Sequence, residues 1–415
     1  MLAVITAGGK GTRVASVDNS VPKPMLSVAG KPVLQYQIEC LKRQGIEKII
    51  FTVGYKGEQI RSFFGDGNRF GVRIDYIEEK VPLGTAGALY YLKNRIKDDF
   101  FLINGDLIFD VDLQRMMDFH KSCQAMATLL VHPNDHPYDS GLIVADENGQ
   151  VNSWLTKEDK RSWYQNRANA GIHVLSPSLL EKLEEPRKTD VDRNLLKPLI
   201  PSGKVYAYQS PEYVKDMGTP ERIVQVEKDL QSGLVAGKNL RRKQRAVFLD
   251  RDGTINKYVG FLRDINDFEL IDGAAEMIRK INQSGYLAIV VTNQPVIARG
   301  EVTWGQLREI HNKMETLLGE KGAYVDDIFM CPHHPDKGFP GEIVEFKIDC
   351  ECRKPKPGML FQAAKKYNIE LAESWMVGDR ERDMEAGRAA GCRTFMVYGE
   401  ALVRGLGSTR AANSG

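Results

Sequence analysis

Ala246-Val247-Phe248-Leu249-Asp250-Arg251-Asp252-Gly253-Thr254-Ile255 is the stretch on which the reading of the whole chain turns. Its first four residues are apolar, with a β-branched and an aromatic side chain among them, as in a buried strand. Two acidic residues one position apart follow, then a glycine that can turn the backbone sharply. Carboxylates at the carboxyl end of a parallel strand can share one divalent cation and aim at one phosphorus atom. The stretch lies well past the middle of the 415 residues, and a complete α/β pattern precedes it. It therefore opens a second domain, in keeping with a chain too long for one core.

Composition narrows the class. A formal net charge of +2 gives no field for wholesale nucleic-acid or membrane binding. No apolar run is as long as a membrane span. Met1-Leu2-Ala3-Val4-Ile5 enters a strand directly and lacks the basic start of a signal peptide, so a cytoplasmic protein acting on small molecules is expected. Cys40, Cys123 and Cys392 stand alone and read as buried small hydrophobes. Cys331, Cys350 and Cys352 cluster beside His333, which points to a metal rather than to disulfides.

In the first half, the strand Leu2–Thr6 runs into Ala7-Gly8-Gly9-Lys10-Gly11-Thr12-Arg13. Glycines there let the backbone approach a polyphosphate, although a tight turn explains them equally well. The P-loop NTPase pattern is absent, since no Gly-Lys-Ser/Thr follows at the required spacing. Pro22-Lys23-Pro24-Met25-Leu26 stiffens the backbone around one lysine. An amphipathic helix follows, with Leu34, Ile38 and Leu41 on one face. Strands at Ile49–Val53, Val72–Ile77 and Phe100–Ile103 continue the alternation of a doubly wound sheet. Leu83-Gly84-Thr85-Ala86-Gly87-Ala88 is a small-residue loop expected to precede a helix, and Asn104-Gly105-Asp106 ends a buried strand with a carboxylate.

Four ordered motifs make the first half resemble the sugar-1-phosphate nucleotidyltransferases: G-G-x-G-T-R, P-K-P, G-T-A-G-A and G-D. The run Arg13-Val14-Ala15-Ser16-Val17 before Pro22-Lys23-Pro24 resembles the heptose-1-phosphate guanylyltransferase branch more than the hexose branches. The resemblance implies that Gly8, Gly9, Gly11, Thr12 and Arg13 form the triphosphate loop and that Lys23 is the cation on the reacting phosphate. It places Gly84, Thr85 and Gly87 near base and ribose. Asp106 and Asp216 would hold Mg²⁺, Asn169 and Gly171 would receive the sugar, and Lys157 would contact its phosphate. Where the family often has Glu-Lys-Pro, this chain has Thr156-Lys157-Glu158. Read on their own, Lys23 could be a solvated loop lysine, Asp216 a helix N-cap and Asn169 a turn residue.

Ser232 to Arg245 breaks the apolar periodicity and carries Lys238, Arg241, Arg242, Lys243 and Arg245. A basic run between two cores reads as a solvated linker. The expected division is therefore 1–235, a linker at 236–244, a second domain at 245–400 and a small, polar, disordered tail at 401–415.

Beyond its opening strand, the second half reads as a helix at Ala274–Ile281 and a strand at Leu287–Val291 ending in Thr292-Asn293-Gln294. Arg353-Lys354-Pro355 follows, then Met376-Val377-Gly378-Asp379-Arg380-Glu381-Arg382-Asp383, another apolar strand ending in acids. Asp-x-Asp-Gly-Thr, a strand-end threonine, a lysine and Gly-Asp-x-x-x-Asp together resemble the haloacid dehalogenase superfamily. That resemblance makes Asp250 the nucleophile of an aspartyl-phosphate mechanism and Asp252 the acid and base. Mg²⁺ would lie on Asp250, the backbone carbonyl of Asp252 and Asp379, with Asp383 in support. Thr292 and Lys354 would stabilise the phosphoryl group.

Cys331, His333, Cys350 and Cys352 supply three sulfurs and an imidazole, a closed structural Zn²⁺ set, with His334 as the rival ligand. A zinc loop just before Arg353-Lys354-Pro355 resembles the heptose 1,7-bisphosphate phosphatases. It implies that Arg353, Asn293, Gln294 and Arg380 line the substrate pocket. Relatives usually have Ser-Gly where this chain has Pro295-Val296.

The expectation is an α/β chain of two doubly wound domains: an N-terminal nucleotidyltransferase domain of Rossmann-like form and a C-terminal haloacid dehalogenase-like domain with a zinc loop. Together they imply removal of the 7-phosphate of a heptose 1,7-bisphosphate and nucleotidyl transfer, GTP being the expected donor, to the remaining 1-phosphate. The rivals are a hexose-1-phosphate transferase with a broad sugar-phosphate phosphatase, a histidinol-phosphate phosphatase, and a non-catalytic nucleotide-sugar sensor. A homo-oligomer is compatible with all of them.

Overall fold

A computed structural model describes residues 1–9 and 20–397. Lys10, Gly11, Thr12 and Arg13 of the first glycine loop, and the expected tail, lie outside the described residues. The chain divides into two compact units. The first comprises Met1–His132, Ile143–Leu155 and Ala168–Asn239; the second comprises Pro133–Leu142, Thr156–Arg167 and the chain from Leu240 onward.

The first unit is built on β1 (Leu2–Ala7), β2 (Lys48–Val53), β3 (Arg73–Glu78), β4 (Phe100–Asn104), β5 (Leu107–Asp110), β6 (Ala127–His132), β7 (Leu142–Ala145), β8 (Val151–Leu155), β9 (Ala168–Leu175), β10 (Val205–Gln209) and β11 (Tyr213–Asp216). Its main sheet runs β8-β7-β9-β4-β1-β2-β3, with β6 joined to β9 and β10 to β6. β1 lies parallel between β2 and β4. Its side chains alternate between two buried layers: Ala3, Ile5 and Ala7 enter one, Val4 the other. Burial on both faces is why its sequence is a nearly unbroken apolar run.

Helices α1 (Val33–Arg43), α2 (Gly57–Phe64), α3 (Leu113–Ser122) and α4 (Pro220–Gln231) flank these strands. α1 buries Leu34, Ile38 and Leu41 as its spacing predicts. It also buries Gln37, whose Nε2 donates to the carbonyls of Asn104 (2.9 Å) and Leu107 (2.8 Å). That amide ties the helix to the turn carrying Asp106. β5 pairs with β11, setting Leu107 opposite Asp216.

The second unit holds a five-stranded parallel sheet of β12 (Ala246–Leu249), β13 (Leu287–Asn293), β14 (Asp327–Cys331), β15 (Trp375–Gly378) and β16 (Arg393–Met396), in the order β14-β13-β12-β15-β16. Phe248 packs with Ile289 and Met376 on one face, and Leu249 with Val290 and Val377 on the other. α5 (Ala274–Gln283), α6 (Trp304–Glu320), α7 (Gly358–Tyr367) and α8 (Glu381–Ala389) accompany the sheet. Thr303 and Gln306 close a capping box at the start of α6. β1 and β12 are each central, with a partner on both sides, so each unit has a topological switch point at its strand ends, where open α/β sheets bind ligands.

Three details differ from the sequence reading. The helix expected after Leu83–Ala88 is only a 3₁₀ run at Gly87–Leu92, too tightly wound to extend far. Asp216 is not a helix cap; Thr219 is, through its side chain, with Pro220 starting α4. The expected solvated linker is exposed at Gly237, Arg241, Arg242 and Lys243, whereas Lys238, Asn239, Leu240 and Gln244 are buried. Asn239 Nδ2 donates to Asp110 Oδ1 at 2.7 Å.

Candidate active sites

In the first unit, a cavity of about 730 Å³ opens over the ends of β1, β2 and β4, lined by Thr6, Gly8, Gly9, Lys23, Glu79, Gly84, Thr85, Asn104, Asp106 and Lys188 among others. Gly105 makes the approach possible, since a Cβ there would lie 2.5 Å from the carbonyl oxygen of Thr6. The chain therefore folds back onto β1 and delivers Asp106 to the switch point. Lys23, one of three residues in a 3₁₀ turn after Pro22, pairs with the Asp106 carboxylate. Asp216 reaches the same place through the backbone, because the N–H of Met217 donates to the carbonyl of Asp106 at 2.9 Å. Its side chain pairs with Arg222. Mg²⁺ is ordinarily held by one or two carboxylates and substrate phosphates; Asp106 lines the cavity and could take that part, whereas Asp216 is not among the cavity-lining residues.

The other expected residues of this unit are placed as follows. Gly171 has φ +73°, and a Cβ on it would lie 2.4 Å from Asn104 Nδ2. Asn169 turns its amide towards Asp192, at 3.4 and 3.5 Å. Lys157 lies on an exposed turn in a segment that groups with the second unit, and it is not among the cavity-lining residues.

Gly84 and Gly87 have a reason the motif does not reveal. Cβ atoms there would lie 2.5 Å from the carbonyl oxygen of Thr189 and 2.1 Å from that of Arg187. The segment 187–191 clamps the loop: Ala86 N–H donates to Thr189 O (2.9 Å), Thr189 N–H to Leu83 O (2.9 Å) and Val191 N–H to Thr85 Oγ1 (2.7 Å). These glycines admit another backbone and so hold the cavity wall in place. Glu79 was missed altogether. Its Oε2 accepts the Leu83 N–H at 2.9 Å, burial pushes its carboxyl up, and one of two adjacent glutamates at a strand end carries no sequence signal.

In the second unit, a cavity of about 250 Å³ is lined by Asp250, Asp252, Tyr258, Asn293, Gln294, His334, Arg353, Lys354 and Arg382 among others. Asp250 follows β12, and its N–H donates to Val377 O at 2.9 Å. Lys354 Nζ is buried among Asp250 Oδ1, Asp383 Oδ1 and Val291 O, each at 2.7 Å. Burial pushes the Asp250 carboxyl up, Lys354 draws it down and Asp383 raises it again, for a net rise to about 6.

Asp250, Asp379 and Asp383 bring carboxylate oxygens within 4.8 Å of one another. Asp379 Oδ1 is buried without a hydrogen-bond partner, and burial pushes that carboxyl up. A Cβ on Gly253 would lie 2.4 Å from Asp379 Oδ2, so only glycine lets the turn close over the carboxylate. Three carboxylates within reach of one another, two of them on the Lys354 ammonium and the third with an orphaned oxygen, fit a divalent cation. The Asp252 carboxylate is turned elsewhere. It accepts from Arg251, from Asn256 Nδ2 (3.1 Å) and from Gln294 Nε2 (2.9 Å). Burial, the largest influence on it, raises its pKa, but Arg251 and these amides outweigh burial and hold it below the ordinary value.

Asn293 and Gln294 line the pocket but are committed to the protein. Asn293 Nδ2 donates to Lys354 O (2.9 Å) and Oδ1 accepts the Lys354 N–H (3.0 Å), pinning the lysine's backbone. Gln294 Nε2 donates to Thr292 Oγ1 at 2.8 Å. Arg353 donates to His333 O at 3.0 Å. Arg380 lies over the Tyr258 ring, 4.8 Å from its centroid, and pairs with Asp379 at 3.1 Å. Arg382 and His334 line the pocket instead; an arginine two residues on, and the second histidine of a pair, could not be chosen by spacing.

Cys331, His333, Cys350 and Cys352 form a second group that could hold a metal. Their ligand atoms are separated by 3.4 Å (Cys331–Cys350), 3.2 Å (Cys350–Cys352), 3.3 Å (Cys352–His333 Nδ1) and 3.6 Å (Cys331–His333 Nδ1). All three cysteines are free. Near-equal edges around three sulfurs and a nitrogen suit a tetrahedral ion. His334 is not in the group; its Nδ1 accepts the Asp336 N–H at 3.2 Å.

Among the described residues, no helix is long and apolar enough to cross a membrane. Residues 2–233 match the nucleotidyl transferase family, and residues 351–404 match a HAD-hydrolase-like family. The chain is 35% identical over 243 residues to mannose-1-phosphate guanylyltransferase of Mycobacterium tuberculosis, covering 58% of this chain and 67% of that protein. It is 45% identical over 152 residues to D-glycero-beta-D-manno-heptose-1,7-bisphosphate 7-phosphatase of Yersinia pestis, covering 37% of this chain and 79% of that one. The crystal structure of HddC from Yersinia pseudotuberculosis is 29% identical, covering 55% of this chain and 99% of that chain, with a TM-score of 0.48.

Proposed function

Because the chain belongs to the nucleotidyl transferase family and joins to it a HAD-like hydrolase unit, we propose that it is a bifunctional enzyme of nucleotide-activated heptose synthesis. Its second unit removes the 7-phosphate of D-glycero-D-manno-heptose 1,7-bisphosphate. Its first unit transfers GMP from GTP to the resulting 1-phosphate and releases pyrophosphate. The observation that carries the reading is the meeting of Asp250, Asp379, Asp383 and Lys354 beside a Cys₃His group, in a unit 45% identical to a heptose bisphosphate phosphatase.

In the phosphatase unit, Asp250 attacks phosphorus and the sugar oxygen leaves with the bonding pair and a proton from Asp252. Water, losing its proton to Asp252, then hydrolyses the acyl phosphate. Lys354 offers a fixed positive charge to the phosphoryl oxygens, and Thr292 offers a hydroxyl. Mg²⁺ on Asp250 and Asp379 supplies charge neutralisation when bound. Zn²⁺ on Cys331, His333, Cys350 and Cys352 is structural, because no ligand position is left open.

In the transferase unit, an oxygen of the sugar phosphate displaces pyrophosphate at the α-phosphorus. Such a reaction needs positioning and charge more than covalent help. Lys23 faces the reacting phosphate, Asp106 and Asp216 serve Mg²⁺, and Gly8, Gly9 and Thr85 receive the nucleotide. Asn169 and Gly171 serve the sugar phosphate. We place the working enzyme in the cytoplasm, with the two activities divided near residues 235–245.

Incubating the protein with the heptose bisphosphate, GTP and Mg²⁺ tests the reading. Free phosphate, pyrophosphate and GDP-heptose are expected, and absence of both phosphate and GDP-heptose refutes it. The identity to a mannose-1-phosphate guanylyltransferase favours a second reading in which the sugar is a hexose. Faster turnover of mannose 1-phosphate than of heptose 1-phosphate would select it.

A further inference from the structure

Behind the catalytic acid of the phosphatase unit runs a buried chain of side chains that the reaction steps above leave unused. Arg251 is 0% exposed. Its Nε and Nη2 donate to Asp252 Oδ1 at 3.1 and 2.9 Å, and Nη2 reaches Asp252 Oδ2 at 2.8 Å and Gln294 Oε1 at 3.1 Å. Nη1, on the far side of the guanidinium, meets His311 Nε2 at 3.2 Å. An arginine nitrogen can only donate, so His311 Nε2 is the acceptor and the imidazole proton belongs on Nδ1. Burial first, and then the charge of Arg251, hold His311 down to about 3, consistent with a neutral ring.

We propose that His311 is a positioning residue for phosphate-ester cleavage: by accepting from Arg251 it fixes the guanidinium, which in turn fixes the Asp252 carboxylate against the leaving oxygen. This rests on the phosphatase reading of the second unit.

The physical need is plain. Asp252 shares its pocket with Asp250, a like charge, and only a planar fork can set both carboxylate oxygens at once. That fork sits at the end of a flexible arm, so it must be held from behind. His311 belongs to α6, whose Leu307, Ile310 and Met314 are buried. The backstop is therefore mounted on a packed helix rather than on a loop. Without the acceptor, a guanidinium N–H would be buried and unpaired. The guanidinium would move to find a partner and carry Asp252 with it.

The test depends on the leaving group. In the first step a P–O bond breaks and its electron pair goes to the departing oxygen. An alkyl oxygen then needs the proton from Asp252, whereas p-nitrophenolate departs without one. Two variants of the full-length protein are compared, each checked for folding by circular dichroism and thermal melting. His311→Phe keeps a ring and removes the acceptor; His311→Gln keeps an acceptor.

kcat/KM for an alkyl phosphate (the heptose 1,7-bisphosphate) should fall on the order of 10- to 100-fold in His311→Phe. For p-nitrophenyl phosphate it should change less than about threefold, and His311→Gln should restore most of the loss. His311→Leu takes the place of the phenylalanine variant if that one does not fold. In an Asp252→Asn background, His311→Phe should cost nothing further on the alkyl ester. Equal losses on both esters, no loss on the alkyl ester, or a glutamine variant as impaired as the phenylalanine one would each overturn the proposal. A wild-type protein inactive on both esters would overturn the phosphatase reading itself, and this proposal with it.

Discussion

Replacing Asp250, the proposed nucleophile, should stabilise the second unit when no divalent cation is present. Asp250 is nearly buried, and the balance of burial against Lys354 and Asp383 raises its carboxyl from 3.8 to about 6. A folded-state pKa above the unfolded one means that the fold binds the proton more tightly and penalises the ionised form. The stability owed to this group is complete below the unfolded value of 3.8 and is lost as pH rises through about 6. Roughly two pKa units correspond to a ceiling of about 3 kcal/mol.

Asp250→Asn cannot ionise and retains an oxygen for Lys354 Nζ. In chelator near about pH 7.5 the variant should therefore exceed wild type by up to about 3 kcal/mol, or roughly 6–12 °C in the melting of a unit this size. Towards about pH 4 the gap should close. Mg²⁺ at the higher pH should stabilise wild type far more than the variant, because only the folded wild type offers the full carboxylate set. Calorimetry of the full chain with EDTA or Mg²⁺ measures all of this. A metal-free variant less stable than wild type near pH 7.5, or a gap that does not depend on pH, would refute the electrostatic argument.

Three further outcomes follow from the geometry. Lys23→Ala should lower nucleotidyl transfer on the order of 10²- to 10³-fold while phosphate release continues unchanged, as pyrophosphate and phosphate assays on one preparation would reveal. Cys352→Ser should lower the bound zinc measured by elemental analysis and the melting temperature of the second unit, leaving nucleotidyl transfer intact. Gly87→Ala, whose Cβ would lie 2.1 Å from Arg187 O, should destabilise the first unit by about 1–3 kcal/mol in urea unfolding. Gly9→Ala meets nothing within 4 Å; it should leave that stability unaltered and raise KM for the nucleoside triphosphate.

The strand-end acids were legible because each follows an apolar run that can only be a doubly covered strand. Leu102–Ile103 lead to Asp106, Phe248–Leu249 to Asp250 and Met376–Val377 to Asp379. Period and composition say where such a strand stops, and the stopping point of a parallel strand is where ligands bind. The Cys/His group was legible because sulfur and imidazole at short spacing have few other uses.

Side-chain commitments were not legible, since they depend on partners distant in sequence. Asn293 and Gln294 read as pocket amides, yet their polar atoms serve Lys354, Asp252 and Thr292. Gly84 and Gly87 read as part of a nucleotide loop, and their missing Cβ atoms make room for the backbone at Thr189 and Arg187. Arg251 stands between two aspartates, and nothing in the sequence gives it a partner. Only the fold brings His311, 60 residues away, to its far side.

The two sites hold a lysine against a strand-end carboxylate by opposite means. Lys354 hydrogen-bonds Asp250 and Val291 O and pairs with Asp383, each at 2.7 Å, and its side chain is 1% exposed, so its ammonium is fixed by its partners. It needs no reorganisation when a phosphoryl group arrives between it and Asp250, and that is the condition under which a buried charge lowers a barrier most. Lys23 lines an open cavity, and its ammonium pairs with Asp106. What limits its reach is the backbone: Pro22 fixes the entry to the 3₁₀ turn, and Pro24 is buried beside it. A tightly enclosed ammonium suits a reaction in which one small phosphoryl group moves between fixed oxygens. A lysine steered by its backbone suits a cavity of about 730 Å³ that must admit a nucleotide and a sugar phosphate together and still leave a charge near the reacting phosphorus.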